Sequence, residues 1–339
     1  GQPKGVIVTH ANVTRLFRST ENWFAFDATD TWTLFHSYSF DFSVWEIWGA
    51  LLYGGRLVVL PQQLSRSPVD LLELLERNKV TVLNQTPSAF QQLIAADVDA
   101  ESRHTLALRY VIFGGEALDY ERLRPWFEHR GDTSPTLVNM YGITETTVHV
   151  TYRPIRLRDL DRSGSLIGAP LPDLRLYIVD PFGNPSPLGV PGEIWVAGKG
   201  VAQGYLRREE LTQEKFAVDP FFAAGQQRLY RSGDLARFLP DGDIEYLGRI
   251  DSQVQIRGFR VELGEIETRL AAHSSVRAAV VVADERGTDS RLLAYCLAVT
   301  QQPAVAGDLR RFLAASLPEY MIPSHLSFSM RFTSPSTAS

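Results

Sequence analysis

The sequence predicts a large α/β domain of parallel-sheet layers with a small β-barrel subdomain over residues 1–250. A small α+β domain follows over 251–323, then an irregular tail over 324–339. Three observations predict this. Between Pro68 and Met140, short apolar runs alternate with stretches of helical period, the pattern of a parallel sheet with helices on its faces. After residue 150, short β runs are broken by Asp180-Pro181-Phe182-Gly183-Asn184-Pro185, Gly189-Val190-Pro191-Gly192 and Pro240-Asp241-Gly242, turn chemistry that suits an antiparallel subdomain or barrel. Beyond Gly248-Arg249-Ile250-Asp251, strand and helix patterns fill roughly 70 residues, near the lower size limit of a domain.

Composition bounds the function. The chain has 339 residues, 44% hydrophobic and 22% charged, as a globular protein of two domains would. Its net charge of −5 offers no basic surface for nucleic acid. The one cysteine, Cys296, sits in the apolar run Leu292 to Val299 and is expected in the core. A single cysteine excludes an intrachain disulfide and a Cys-rich metal site, and fits a reducing, cytoplasmic setting. No apolar run reaches the roughly 18 residues of a membrane span, and no signal peptide is visible. The chain opens on Gly1 inside a glycine-rich turn and closes on a polar run, so both ends read as cut.

In order, Gly1-Gln2-Pro3-Lys4-Gly5-Val6 sets glycines around a lysine, which suits a loop that wraps phosphates and equally a surface turn. Apolar residues at 42, 45, 48, 49 and 52 recur at helical spacing, so Asp41 is expected to cap a helix. Its carboxylate equally suits a pocket floor that holds an ammonium. Leu57 to Leu60 reads as a strand, Val69 to Asn78 as a helix, Val80 to Asn84 as a strand, and Pro87 to Ala96 as a helix with proline in its first turn. Leu108 to Phe113 is a strand ending in Gly114-Gly115-Glu116, and Tyr120 to His129 a helix. Ligands of parallel sheets bind at the carboxyl ends of the strands, where Asn84, Ile112, Gly114 and Met140 lie.

Thr136 to Met140 is the last of these strands, and Asn139-Met140-Tyr141-Gly142-Ile143-Thr144-Glu145-Thr146-Thr147 leaves it. Gly142 is expected to take a positive φ for a sharp exit. The turn then presents an aromatic face in Tyr141, hydroxyls in Thr144, Thr146 and Thr147, and a carboxylate in Glu145. Hydroxyls donate to phosphate oxygens, and one carboxylate suits Mg²⁺ beside phosphate. Further on, Asp234 in Tyr230-Arg231-Ser232-Gly233-Asp234-Leu235 suits a ribose diol or a turn cap. In the last unit, Val254 to Ile256 and Arg260 to Glu262 read as strands, Gly264 to His273 as a helix, Ala278 to Ala283 and Leu292 to Val299 as strands, and Asp308 to Leu317 as a helix.

These stretches, in this order, resemble the adenylation domains of nonribosomal peptide synthetases, within the adenylate-forming ligases. The resemblance covers residues 1–323. It rests on Gly1 to Gly5, Asn139 to Thr147, Gly192 to Leu211, Tyr230 to Arg237, Gly248 to Glu267 and Leu317 to Pro323. It implies that ATP and Mg²⁺ activate an amino acid as its adenylate. The acyl group then passes to a phosphopantetheine thiol on a peptidyl carrier domain, with a condensation domain as neighbour. By the same resemblance, Lys4 and the Gly1–Gly5 turn hold pyrophosphate oxygens, Thr144 the α-phosphate and Glu145 the metal. Asn139 and Tyr141 meet adenine, and Asp234 with Arg249 the ribose. Gly5, Gly115 and Gly142 belong to the nucleotide site, and Asp251 to a hinge on which the small domain swings. Asp41 pairs with the substrate α-ammonium.

Substrate choice in the family rests on a few pocket positions, matched here by Asp41, Phe42, Trp45, Asn84, Ile112, Gly114, Met140, Val148 and His149. That string resembles the one for threonine. Asn84 and His149 suit its hydroxyl, and Phe42, Trp45 and Met140 a small pocket. The sequence departs from the family at the end. A lysine that bridges substrate carboxylate and phosphate is expected past Leu317–Pro323, yet the four lysines are Lys4, Lys79, Lys199 and Lys215. Two other readings follow: an acyl or aryl ligase, against which Asp41 argues because those substrates lack an ammonium, and a catalytically incompetent piece of such an enzyme.

Overall fold

Strand and helix alternate through the first part of the chain as the sequence predicts. The computed structural model describes residues 4–61, 63–100, 104–222, 227–251, 253–256, 259–284, 291–299 and 306–329. They form two compact units, one of Lys4–Ile250 and one beginning at Asp251. In the first unit, helix α1 (His10–Phe24) precedes β1 (Thr31–Leu34), α2 (Phe42–Leu52) and β2 (Arg56–Val59). Then come α3 (Pro68–Asn78), β3 (Val82–Gln85), α4 (Pro87–Asp99), β4 (Tyr110–Phe113), α5 (Arg124–Arg130) and β5 (Thr136–Asn139). The β-rich stretch supplies β6 (Thr151–Ile155), β7 (Ser165–Pro170), β8 (Leu174–Val179) and β9 (Gly192–Gly198). After α6 (Glu209–Lys215) it adds β10 (Phe216–Val218), β11 (Arg228–Phe238) and β12 (Ile244–Arg249).

Strands β2-β1-β3-β4-β5 are parallel throughout. The path continues through β6, β7, β12, β11, β9 and β8 with every pairing antiparallel. The β-rich part is thus hydrogen-bonded to the α/β part as one sheet. Side chains alternate across it, as a two-residue period requires. Val82, Ile112 and Val138 pack on the side of α1 and α2 with Leu16, Phe17 and Trp45. Leu83, Val111, Phe113 and Leu137 pack on the other side with Leu72, Phe90 and Trp126 of α3, α4 and α5. Burial on both faces is why these strands read as continuous apolar runs.

Helix α1 and strand β1 do not figure in the sequence reading. Thr9 Oγ1 accepts from the Asn12 N–H at 3.2 Å while Asn12 Oδ1 accepts from the Thr9 N–H at 2.9 Å, a reciprocal cap. Buried Val13, Leu16, Phe17, Thr20 and Phe24 form its inner stripe. That stripe and the Thr9 cap were the available signals. Strand β1 has only four residues, too few for a period to stand out.

In the second unit, β13 (Gln253–Ile256) pairs antiparallel with β14 (Phe259–Glu262). Helix α7 (Leu263–Ala271), β15 (Val276–Asp284), β16 (Arg291–Ala298) and α8 (Ala306–Ala314) follow. Cys296 is buried in this core, as expected. The tail expectation needs correction. His325–Ser329 forms a further strand, β17, parallel to β16, because Leu326 and Phe328 alternate with polar residues and Leu326 enters the core. Residues 330–339 lie outside the described ones. Among the described residues no helix is long and apolar enough to cross a membrane.

Candidate functional site

The period of the sheet assembles one side of the site. Asn84 is two residues past Val82, Gly114 two past Ile112 and Met140 two past Val138. All therefore share the face covered by α2, at the carboxyl ends of β3, β4 and β5. Helix α2 brings Phe42 and Trp45 over them. A Cβ on Gly114 would stand 3.1 Å from Phe42 Cε1 and 3.4 Å from the Met140 carbonyl oxygen, so glycine keeps this passage open. His149 stands edge-on to Phe42 and Trp45, with centroids 5.2 and 5.0 Å apart. Phe42, Trp45, Ile112, Met140 and Val148 share one core cluster, and Asn84 pairs with Ile112 across β3 and β4.

Four of them carry buried polar atoms with no hydrogen-bond partner: Asp41 Oδ2, Trp45 Nε1, both amide atoms of Asn84 and both ring nitrogens of His149. Buried polar groups are nearly always paired, so this cluster suits a ligand or water that completes the bonding. Asp41 also corrects the capping expectation. It stands at the first position before α2, but with helical φ of −63° and no side-chain cap. The Thr144 side chain lies close enough to its carboxyl to work against the effect of burial. Burial pushes Asp41 up to about 6; Thr144 and His36 oppose this, and the Glu145 charge adds to it. Burial, with Arg15 nearby, brings His149 down to about 3, so its ring is neutral at pH 7.

The loop after β5 closes on itself. The Tyr141 carbonyl accepts from the Val150 and Thr151 N–H groups at 2.7 and 3.1 Å. Thr144–Thr146 form one 3₁₀ turn. Gly142 is not among the residues with positive φ; those in this loop are Thr147 at 65° and Val148 at 64°. Glycine is required at 142 for a different reason: a Cβ there would lie 1.8 Å from the Val148 carbonyl oxygen. Two consecutive β-branched residues in the left-handed region store strain. Neighbours hold it: Thr147 Oγ1 donates to the Gly200 carbonyl at 2.8 Å, and Arg15 Nη2 donates to the Thr146 carbonyl at 3.3 Å.

On the other side of this loop, the Tyr141 hydroxyl donates to Asp234 Oδ2 at 2.5 Å and Arg249 Nη1 donates to Asp234 Oδ1 at 2.8 Å. Burial and the Asp234 charge keep the Tyr141 phenol protonated. Glu145 is 2% exposed, and its Oε1 accepts from the Tyr205 hydroxyl at 2.6 Å. Tyr205 sits on a segment bonded to Gly5: the Leu206 N–H donates to the Gly5 carbonyl at 2.7 Å. Lys4 is half-buried at the start of that segment, and Gly1, Gln2 and Pro3 of the expected phosphate loop lie outside the described residues. Gly115 turns with φ 81° just past Gly114. Asn139 is 3% exposed and its amide nitrogen donates to the Leu166 carbonyl at 2.8 Å, so that nitrogen is engaged by the sheet. Asp251 is the first residue of the second unit.

Glu145 is the carboxylate of this loop that would hold Mg²⁺ beside a nucleotide. Among the described residues no three His, Cys, Asp or Glu side chains converge, and one carboxylate completed by phosphates and water is how Mg²⁺ is usually held. Sequence reasoning missed Tyr205, Arg15, His36 and Glu46. Arg15 and Tyr205 reach the loop from elements distant in sequence, while His36 and Glu46 flank Asp41 and meet only when β1 packs on α2.

Residues 1–206 match the family model described as AMP-binding enzyme. Over 326 residues the chain is 52% identical to a dimodular nonribosomal peptide synthase of Bacillus subtilis (strain 168), covering 95% of this chain and 14% of that protein. Over 332 residues it is 47% identical to syringomycin synthase SyrB1 of Pseudomonas syringae pv. syringae, covering 96% of this chain and 53% of that protein. Its fold is similar to the Vibrio cholerae adenylation domain AlmE in complex with glycyl-adenosine-5'-phosphate, with TM-score 0.83 and 28% identity over 98% of this chain and 62% of that one. A holo nonribosomal peptide synthetase protein with adenylation and PCP domains gives TM-score 0.84 and 28% identity over 98% and 55%. The match to the family model spans well over half of the chain, which therefore belongs to the AMP-binding enzymes.

Proposed function

We propose that this chain activates an amino acid, L-threonine, as its aminoacyl-AMP with ATP, for transfer to a phosphopantetheine thiol on a carrier domain in nonribosomal peptide synthesis. The similarity to synthetases and to structures with adenylation and PCP domains supports the reaction class. The observation that carries it is Asp41, a buried carboxylate with an unpartnered oxygen beside the Thr144 hydroxyl. A buried anion without a partner is costly, and a substrate ammonium removes the cost. Aryl and fatty acids have no such group, which disfavours an acyl or aryl ligase.

In the reaction, a carboxylate oxygen of the amino acid bonds to the α-phosphorus as pyrophosphate leaves. Both reactants are anionic, so the chain's work is positioning and charge neutralisation. Asp41 holds the ammonium, and Thr144 binds the α-phosphate. Glu145, oriented by Tyr205, holds Mg²⁺, which when bound neutralises phosphate charge. Lys4 and Gly5 hold the pyrophosphate end. Tyr141 and Asn139 flank adenine, with Gly115 and Gly142 leaving room, and Asp234 with Arg249 takes the ribose. Asp251 is the hinge of the second unit. Asn84 and neutral His149 bond the substrate hydroxyl, which discriminates threonine from valine more strongly than shape alone does.

Glu145→Ala in the full-length protein tests the nucleotide side and should abolish Mg²⁺-dependent, amino acid-dependent pyrophosphate exchange. Unchanged exchange removes Glu145 from the metal site. His149→Ala tests the pocket and should narrow the preference for threonine over valine. One further observation supports a second proposal. No lysine follows Lys215, and an arginine fork does not mimic a compact ammonium. These 339 residues by themselves should therefore exchange slowly, by a factor of about 100–1,000 for one missing transition-state contact.

A further inference from the structure

We propose that His36, held by Glu46, is a positioning residue for the ammonium site, acting through the two phenylalanines that flank Asp41; this rests on the amino acid-activation reading above. Glu46 lies one turn along α2 from Phe42 and is fully buried. Its Oε1 accepts from the Phe35 N–H at 3.2 Å and its Oε2 from the His36 N–H at 3.1 Å. His36 Nδ1 stands 3.1 Å from Oε1. Two backbone donors on a buried carboxylate leave Nδ1 as the third donor, which fixes the ring's tautomer and rotation. Glu46 thereby ties the exit of β1 to α2.

The fixed ring contacts both neighbours of Asp41. It lies flat on Phe42, with centroids 4.5 Å apart and planes within 17°, and edge-on to Phe40 at 5.3 Å. The residues before and after Asp41 therefore both rest on one imidazole. That imidazole is locked from behind by a carboxylate and exposes only 6% of its side chain. Phe42 in turn carries His149 on its other contacts. His36 Nε2 is buried without a partner, as Asp41 Oδ2 is. A His placed only to fill space needs neither the carboxylate lock nor contact with both flanks of the one buried unpartnered oxygen that the substrate ammonium is to meet.

The test uses the full-length protein and steady-state pyrophosphate exchange. His36→Ala should raise KM for threonine about 10-fold or more while KM for ATP and kcat hold within about 3-fold, because a small misplacement of a binding group is costly. Inhibition by 3-hydroxybutanoate, which keeps the hydroxyl and lacks the ammonium, should be unchanged. His36→Phe keeps the stack on Phe42 and loses the Glu46 bond; it should recover part of the loss and serves if the alanine variant does not fold. Equal changes in the threonine and ATP parameters, or none, overturn the proposal. Wild-type protein that exchanges with no amino acid overturns the activation reading, and this proposal with it.

Discussion

Asp41 is the residue on which structure and chemistry meet. Its buried carboxyl titrates at about 6, above the ordinary aspartate value, because burial disfavours the charge. A raised folded value means this group favours folding below about pH 4 and that this contribution is lost as pH rises through about 6. At pH 7 the ionised group costs on the order of 3 kcal/mol. Asp41→Asn should therefore raise stability, by up to about 2 kcal/mol in urea unfolding at pH 7, while abolishing amino acid-dependent exchange. Lower stability in that variant would mean that the carboxylate is paired within the folded chain. The same titration predicts that KM for the amino acid rises as pH falls through about 6, while KM for ATP does not follow. The candidate pocket positions follow from the resemblance of the local motifs to the family. That Asp41 does not cap α2 was not legible, because its helical backbone is set by tertiary structure and not by residue type.

The element that sets the site is the loop from Tyr141 to Val150. The sequence marks it by its hydroxyls and its glycine, but the reason for the glycine is tertiary. Gly142 passes against the Val148 carbonyl, and the left-handed backbone falls on Thr147 and Val148, residues that propensity would exclude. Such violations gather at functional sites, where neighbours hold the strain. Gly142→Ala should cost about 1–3 kcal/mol or more, from overpacking against backbone, and lower exchange at least about 10-fold. A variant with wild-type melting and exchange would show that the loop yields freely. Helix α1 escaped the sequence reading although its stripe and cap were present, since the polar residues between them blur the period. Its function is felt at this loop, through Arg15 on the Thr146 carbonyl.

At the scale of the molecule, the alternation of strand and helix between Pro68 and Asn139 was fully readable, because a buried parallel strand and a half-buried helix have different periods. The joining of the β-rich part to the same sheet was not, since pairing partners are set by the chain's path rather than by local pattern. Strand β17 went unread because five residues with two apolar positions carry little signal. The loop leaving β5 carries Val148 and His149, which pack with Phe42 and Trp45, as well as Tyr141 and Glu145, which bond Asp234 and Tyr205. The most direct measurement is pyrophosphate exchange by the full-length protein with threonine, valine, serine and benzoate in parallel. Exchange with threonine should lie well above that with valine and serine, and benzoate should give none. Exchange driven best by benzoate, or by an aromatic or acidic amino acid, would contradict the proposed function.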